Sequence, residues 1–236
     1  MIQQAGERTF DFAAGEVLNI DKPAGITSFG VVHKIRKWTH CKKVGHGGTL
    51  DPMATGVLLI FTGKATKQVP QFMDLSKIYE GTIELGKTTD TDDVQGQIIE
   101  IKEVPQFEEN QVRTVLNSFQ GEIDQVPPMF SALKKDGKRL YKLARQGKVV
   151  HREPRKVVVH TIDLLSYEWP LLHIRVHCSK GTYIRSIARD VGSILGTGGC
   201  LSALRRTQIG DYHVDDAYTL DELQKRLNND EYLPHN

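Results

Sequence analysis

A single carboxylate stands in a setting that suits chemistry. Asp51 ends a glycine-rich loop at residues 44–50, and Pro52 follows it. Glycine lets another backbone approach closely and proline fixes the next turn, so such a loop can hold one carboxylate rigidly at the floor of a site. The alternative, which composition alone favours, is an Asp-Pro turn with no chemical role.

Other chemistries find weaker support. The loop lacks the Lys-Ser/Thr ending of a P-loop and the G-x-G-x-x-G spacing of a dinucleotide site. His40, Cys41 and His46 lack the second pair of ligands that structural zinc needs, so no metal site is predicted. No G-x-S-x-G nucleophile elbow is present. The three cysteines are widely spaced, which predicts reduced thiols, and Cys178 is predicted to lie in the core with a nucleophilic role as the alternative.

Charge is unevenly distributed along this nearly neutral chain of net charge +2. Residues 133–156 hold ten basic residues against two acids, a net of +8, whereas residues 88–109 carry −6 and residues 211–236 carry −5. A charge run is usually a solvated face, but a segment this basic attracts phosphates. The basic segment, residues 133–156, therefore favours binding to a nucleic acid.

The elements that must position these residues follow from apolar spacing and capping residues. Strands are predicted at 16–21, 57–61, 78–85 and 172–178, and helices after Thr27 or Ser28, at 112–119, after Tyr183, and behind a capping box at Thr219–Glu222. The fold class is α+β, a mixed, mainly antiparallel sheet with helices against it.

The predicted domain organisation is simple. Residues 1–14 form a flexible segment and residues 15–236 a single domain, with a basic insertion at about 124–156. The insertion is predicted to be a hairpin or loop with a short helix around 139–145. No apolar run approaches the roughly 18 residues of a membrane span, and no signal peptide precedes the domain. The predicted location is the cytoplasm.

Several motifs in one order carry a resemblance to a known family. The chain resembles the TruB-family tRNA pseudouridine synthases over about residues 14–220. The stretches that match are 15–23, 43–58, 77–80, 85–91, 125–134, 178–185 and 204–206. The resemblance implies the pseudouridine synthase fold, in a short form that lacks the C-terminal PUA module of many relatives.

The resemblance also implies a reaction. Uridine 55 in the T-loop of tRNA would be isomerised to pseudouridine: the glycosidic N–C bond breaks, the base turns, and a C–C bond forms at C5. No net oxidation, hydrolysis or group transfer occurs, so no cofactor is implied. The uridine must first leave the base stack, which costs roughly a few kcal/mol.

Roles for individual residues follow by similarity alone. Asp51 matches the catalytic aspartate, Tyr79 the active-site tyrosine, and Arg185 the arginine that pairs with the aspartate. Residues expected to bind the flipped nucleotide are His46, Tyr183, Leu204 and Lys22. Residues expected to contact the RNA backbone are Lys134, Lys138, Arg139, Lys142 and Arg145.

The implied partner is the T-arm of tRNA, bound by a monomer that needs no protein partner and no membrane. Two alternatives stay open at this point. One is a guide-dependent pseudouridine synthase that works inside a ribonucleoprotein. The other is an RNA chaperone that binds and refolds tRNA without catalysis.

Overall fold

The computed structural model describes residues 10–135 and 137–229. Residues 1–9 of the predicted N-terminal segment lie outside the described residues. Within its remainder, Phe10 and Phe12 are buried, and their rings stack with centroids 5.2 Å apart.

Strands and helices are numbered along the chain. The strands are β1 Val17–Lys22, β2 Val44–His46, β3 Thr55–Thr62, β4 Lys77–Leu85, β5 Lys87–Thr89, β6 Ile98–Ile101, β7 Gly121–Gln125, β8 Lys134–Lys135, β9 Lys138–Arg139, β10 Arg155–Glu168, β11 Leu171–Cys178, β12 Gly199–Ile209, β13 Tyr212–His213 and β14 Tyr218–Thr219. The α-helices are α1 Ser28–Thr39, α2 Val69–Asp74, α3 Glu109–Asn117, α4 Leu140–Ala144, α5 Ile184–Ile194 and α6 Leu220–Asn229.

The chain divides into two compact units, one formed by Met1–Leu75 with Arg206–Asn236 and the other by Ser76–Arg205. In the first unit the strand order is β14, β1, β3 and the end of β12. Two short strands lie off this order: β2 pairs with β3, and β13 pairs with β12. β1 pairs with β14 in parallel and with β3 in antiparallel register. Every residue of Gly56–Thr62 in β3 is buried, because apolar side chains cover both faces of this strand.

Helix α1 of the first unit shows how local sequence sets an element. Thr27 caps it, with Oγ1 accepting a hydrogen bond from the Gly30 amide at 2.9 Å. Val31, Val32 and Ile35 recur at helical spacing and are buried, each contributing about 1.5–3 kcal/mol of transfer free energy. The helix ends at Thr39, and His40 takes a left-handed conformation.

The second unit is a sheet with helices on its apolar face. Its strand order is β12, β4, β11, β10 and β7, and β4, β11, β10 and β7 pair in antiparallel register. Alternate residues of β4 and β11 point into a core that also receives the buried side chains of α3 and α5. The β5–β6 and β8–β9 hairpins are separate two-stranded sheets.

These features confirm several predictions. The sheet is mixed and mainly antiparallel, so the predicted α+β class is confirmed. The hairpin and short helix predicted within the basic segment are present as β8, β9 and α4. The capping box is present too, because Thr219 Oγ1 accepts from the Glu222 amide while the Glu222 carboxylate accepts from the Thr219 amide. Among the described residues, no helix is long and apolar enough to cross a membrane.

Candidate active site

The loop that carries Asp51 is held from both sides by hydrogen bonds to its backbone. Ser28 Oγ accepts from the Leu50 amide at 2.9 Å and donates to the Leu50 carbonyl at 3.1 Å. On the other side of Asp51, the Gly25 amide donates to the Pro52 carbonyl at 2.8 Å. The half-buried carboxylate therefore stands between two residues whose main chain is fixed.

Lys22 lies beneath this loop with its side chain fully buried. Its ammonium group donates to the carbonyls of Pro23 and Ile26 at 2.8 Å and of Pro52 at 3.3 Å. Burial lowers the pKa of Lys22 to about 8, against a rise from the Asp51 carboxylate and a further lowering from Arg206. A buried charge satisfied by three carbonyls is suited to fixing a loop.

Arg206 forms the other support of the loop. It is 1% exposed, and it donates from Nε to the Val57 carbonyl at 2.7 Å and from Nη2 to the Gly48 carbonyl at 3.2 Å. The backbone of Arg206 passes so close to Gly56 that a Cβ there would collide with it. This residue was not among the predicted site residues, although it ends the matching stretch 204–206.

His46 belongs to β2 and reaches the same region of the first unit. Burial lowers its pKa, with the Arg206 charge as a second cause, while a backbone hydrogen bond with Gly48 opposes them. The imidazole is therefore neutral at pH 7. Within the described residues its Nδ1 is buried and has no hydrogen-bond partner. The buried Nδ1 is therefore a polar atom whose hydrogen-bonding capacity is unused within the described residues.

Tyr79 and Leu204 lie on the apolar face of the second unit. Tyr79 faces the same side of the sheet as Val176, opposite it on β11, and both Tyr79 and Leu204 pack against the buried core. Gly81 lies two residues after Tyr79 in β4, and a Cβ at Gly81 would lie 3.4 Å from Leu204 Cδ1. Tyr79 is half-buried, so part of its ring is accessible.

Tyr183 stands at the N-terminus of α5, where its backbone is fixed by one buried side chain. Gln125 Oε1 accepts from the Tyr183 amide at 2.8 Å, and Gln125 Nε2 donates to the Tyr183 carbonyl at 3.1 Å. The Arg155 guanidinium lies over the Tyr183 ring, 4.7 Å from its centroid. Arg155 also donates to the carbonyl of Gly181.

Arg185 follows in the first turn of α5 and is 4% exposed. It donates from Nη1 to the Thr91 carbonyl and from Nη2 to the Phe130 carbonyl, both at 2.9 Å. Asp93 Oδ2 lies 3.5 Å from Nη1, with a carboxylate that is itself 5% exposed. The planar fork thus joins the loop after β5 to the segment before the basic hairpin.

A second arginine of α5 ties down the same loop. Arg189 donates from Nη1 to Asp92 Oδ2 at 3.1 Å and from Nη2 to the Val126 carbonyl at 3.2 Å. Asp92 has a left-handed backbone with φ of 61°. Burial raises the pKa of Asp92 while the charge of Arg189, followed by those of Arg185 and Arg152, lowers it. Burial is the larger cause and the pKa of Asp92 is raised, so the positive charges of α5 offset only part of the cost of burying the ionised carboxylate.

The five basic residues predicted to contact RNA all belong to the β8–β9 hairpin and α4. Their side chains are exposed: Lys134, Lys138, Arg139, Lys142 and Arg145. Arg145 also lies over the Tyr141 ring, 5.7 Å from its centroid. Residue 136, in the turn of this hairpin, lies outside the described residues.

The structure groups the predicted site residues within each unit. In the first unit the positive charge of Arg206 acts on both Lys22 and His46, and Arg206 also supports the loop that carries Asp51. In the second, Tyr183 and Arg185 begin α5, and Tyr79 and Leu204 share the apolar side of the sheet. The supporting residues Ser28, Gln125, Asp93, Arg189 and Arg206 were not predicted. No group of three or more potential metal ligands occurs in residues 10–135 and 137–229.

Comparison with known proteins decides the family. Residues 36–184 match the model of the TruB family pseudouridylate synthase N-terminal domain, and residues 185–235 match that of the tRNA pseudouridylate synthase B C-terminal domain. The chain belongs to the TruB family. The prediction made from its motifs is confirmed, and with it the enzyme class of pseudouridine synthase.

Individual TruB relatives agree with this assignment. The tRNA pseudouridine synthase B of Syntrophotalea carbinolica is 47% identical over 208 residues, which cover 88% of this chain and 68% of that protein. That of Opitutus terrae is 46% identical over 219 residues, covering 89% of this chain and 91% of that protein.

Solved structures place the TruB chain in the pseudouridine synthase fold. A crystal structure of a Cbf5-Nop10-Gar1 complex matches with a TM-score of 0.72 and 33% identity. A structure of an H/ACA RNP bound to a substrate RNA containing 2'-deoxyuridine matches with a TM-score of 0.68 and 31% identity. The match covers 91% of this chain in both cases, and the chain spans about half of those proteins, 54% and 53%.

Proposed function

We propose that this TruB-family chain isomerises uridine 55 in the T-loop of tRNA to pseudouridine, with Asp51 as the attacking carboxylate. Relatives that are nearly half identical carry the name tRNA pseudouridine synthase B, which supports the substrate. The observation that carries the catalytic role is the fixed backbone on both sides of Asp51. A nucleophile held by its neighbours loses little freedom when the uridine arrives.

The proposed reaction is balanced without another reactant. The carboxylate attacks the uridine, the N1–C1' bond breaks, the base turns, C5 forms the new bond to C1', and the bond between the carboxylate and the nucleoside breaks to free Asp51. The C5 proton leaves to solvent and N1 gains a proton, so the product has the composition of the substrate. Release of the C5 hydrogen is therefore a direct measure of the reaction.

The other site residues take roles that suit their positions. Tyr79, partly accessible above the core, would stack on the flipped base, and Leu204 and Tyr183 would line its pocket. His46, neutral and with an unused ring nitrogen, would bind the nucleotide. From the family resemblance alone, we propose that Arg185 orients the Asp51 carboxylate. The burial of Lys22 favours a role in positioning the loop.

Affinity would come from the exposed basic hairpin and α4. Lys134, Lys138 and Arg139 on the hairpin, with Lys142 and Arg145 on the helix, would contact phosphates of the T-arm. We propose that the chain acts as a monomer with no protein partner and no cofactor. Because the proposed substrate is a tRNA, the proposed place of action is the cytoplasm.

The test is tritium release from a tRNA transcript labelled at uridine C5, using the purified chain alone. We expect one tritium released for each uridine converted, and no release from a transcript in which uridine 55 is replaced by cytidine. Asp51→Asn should abolish release and keep tRNA binding. Asp211→Asn, which changes an exposed aspartate in a turn of the same unit, is the matched control and should behave as the parent.

Three results would overturn the proposal. Turnover by Asp51→Asn at the parent rate would remove Asp51 from the chemistry. Release that begins only when a guide RNA or further proteins are added would assign the chain to the guide-dependent pseudouridine synthases. Binding of tRNA without any release of tritium would instead support the alternative of an RNA chaperone without catalysis.

A further inference from the structure

The chain contains a second basic stretch, separate from the basic segment at 133–156. Residues 22–50 hold six lysines and arginines and no aspartate or glutamate, a net of +6 in a chain whose total is +2. Lys22 is buried, and Arg36 is half-buried and donates to the Val44 carbonyl at 3.3 Å. The remaining four lysines are exposed: Lys34, Lys37, Lys42 and Lys43.

Helix α1 directs these charges to one side. Its buried residues recur on one face, so the opposite face presents Phe29, His33, Lys34 and Lys37 to solvent. Lys42 and Lys43 lie in the segment that joins α1 to β2. We call this region the α1 surface, defined by Phe29, His33, Lys34, Lys37, Trp38, Lys42 and Lys43.

The lysines of the α1 surface differ from many other exposed basic residues of this protein. Four exposed cations elsewhere are paired with carboxylates: Lys102 with Glu100, Arg113 with Glu109, Lys156 with Glu122 and Arg175 with Glu80. Across residues 10–135 and 137–229, no carboxylate forms an ion pair with a lysine of the α1 surface. Unneutralised lysines on one helix face give a local positive potential.

Aromatic side chains accompany the charges. Phe29 is 65% exposed, although an exposed phenylalanine gains almost nothing from the hydrophobic effect. Trp38 is half-buried, and the Lys34 ammonium lies 5.7 Å from the centroid of its ring. Lysines that attract phosphates beside an accessible ring that can stack on a base form the combination by which proteins bind unpaired RNA.

We infer that the α1 surface is a second RNA-binding site, on which Lys34, Lys37, Lys42 and Lys43 contact phosphates and Phe29 stacks on an unpaired base. The inference rests on the proposed function for the identity of the RNA as tRNA. It adds a contact in the first unit to that of the basic hairpin in the second. Arginine and lysine contacts to phosphate release counterions, so the site contributes to the salt dependence of binding.

The experiment measures the dissociation constant of the full chain for unmodified tRNA transcript over a range of salt concentrations. The variant Lys34→Glu/Lys37→Glu should weaken binding on the order of tenfold at low salt and flatten the slope of log affinity against log salt by about 1.5. The control Lys102→Glu/Lys225→Glu makes the same change in net charge at two exposed lysines elsewhere and should leave the slope unchanged.

A second variant separates stacking from charge. Phe29→Leu keeps an apolar side chain but removes the aromatic ring, so affinity should fall several-fold while the salt slope stays the same. Thermal denaturation of each variant checks that the fold is intact, and because Phe29 is exposed its replacement should leave the melting temperature unchanged. Parent-like affinity and slope in both variants would overturn the inference.

The readout is binding, so its failure is distinct from failure of the proposed function. If the chain binds tRNA through the α1 surface but releases no tritium, the proposed activity is wrong and the RNA-binding site on α1 stands. If the chain releases tritium normally and Lys34→Glu/Lys37→Glu leaves tRNA binding unchanged, the proposed activity stands and the RNA-binding site on α1 is wrong. Preference of the α1 surface for an acidic protein over tRNA would also count against it.

Discussion

The ammonium group of Lys22 donates a hydrogen bond to the carbonyl of Pro52, the residue that follows the proposed nucleophile, with 3.3 Å between Nζ and O. The same nitrogen bonds to two carbonyls of the segment after β1, at Pro23 and Ile26. One buried cation thus joins the end of β1 to the loop that carries Asp51. The position of this loop therefore depends on a contact between two residues that lie 30 positions apart in the sequence.

Replacing Lys22 should expose this dependence. Lys22→Met leaves three buried carbonyls without their donor and should lower the free energy of unfolding by about 2 kcal/mol or more. The rate of tritium release should fall further than stability explains, because the loop loses its support. Denaturant unfolding and single-turnover kinetics at a temperature where the variant is folded measure the two effects.

The pH dependence of stability gives an independent check on Lys22. Its pKa is about 8 in the folded protein and 10.5 in the unfolded chain. Between these values the unfolded chain binds more protons, so the contribution of Lys22 to the free energy of unfolding rises with pH and is level below about 8. The difference between the parent and Lys22→Met should therefore grow from pH 8 to 10.5. A difference that shrinks with pH would contradict the assignment.

Arg185→Lys should be severely impaired. A lysine cannot bond to the Thr91 and Phe130 carbonyls together while remaining beside Asp93, because a point charge replaces a planar fork. We expect the release rate to fall about 100-fold, the scale of a small misplacement in an active site. The matched control is Arg113→Lys, which changes an exposed arginine paired with Glu109 and should retain activity. Near-normal turnover by Arg185→Lys would remove the fork from the mechanism.

Two glycines with similar φ angles allow the cost of backbone strain to be measured separately from the cost of steric crowding. Gly25 and Gly56 have φ of 82° and 98°, but a Cβ at Gly25 would meet nothing within 4 Å, whereas one at Gly56 would collide with the backbone of Arg206. Gly25→Ala should cost about 1 kcal/mol from its left-handed backbone alone. Gly56→Ala should cost about 3 kcal/mol or more. Equal costs in denaturant unfolding would show that the close approach is not rigid.

Reversal of charge in the basic segment should weaken tRNA binding through its salt-dependent part. Lys138→Glu, Arg139→Glu and Lys142→Glu act on exposed residues of β9 and α4. Each should reduce affinity several-fold and lower the salt slope by about 1. Binding titrations over a salt series measure this, and an unchanged slope would move the RNA path elsewhere.

Local sequence accounted for elements whose spacing is regular. The alternation of Leu172, Ile174, Val176 and Cys178 predicted β11, and Thr27 and Thr219 marked helix starts that the structure confirms. The longest strand, β10, was not predicted. Its register shifts between Val159 and Thr161 and again between Leu164 and Ser166, and such bulges break the two-residue alternation on which strand prediction depends.

The amino-acid sequence by itself determined the family, the reactive carboxylate proposed for the chemistry, and the basic segment, because motifs, residue types and charge are properties of the chain. Only the tertiary structure decided what holds that carboxylate's loop. Ser28 bonds to Leu50 across 22 positions and Arg206 to Gly48 across 158, and no local pattern marks either pair. Hydrogen bonds of buried polar groups are satisfied wherever the fold brings a partner, so their pairing appears only once the chain is folded.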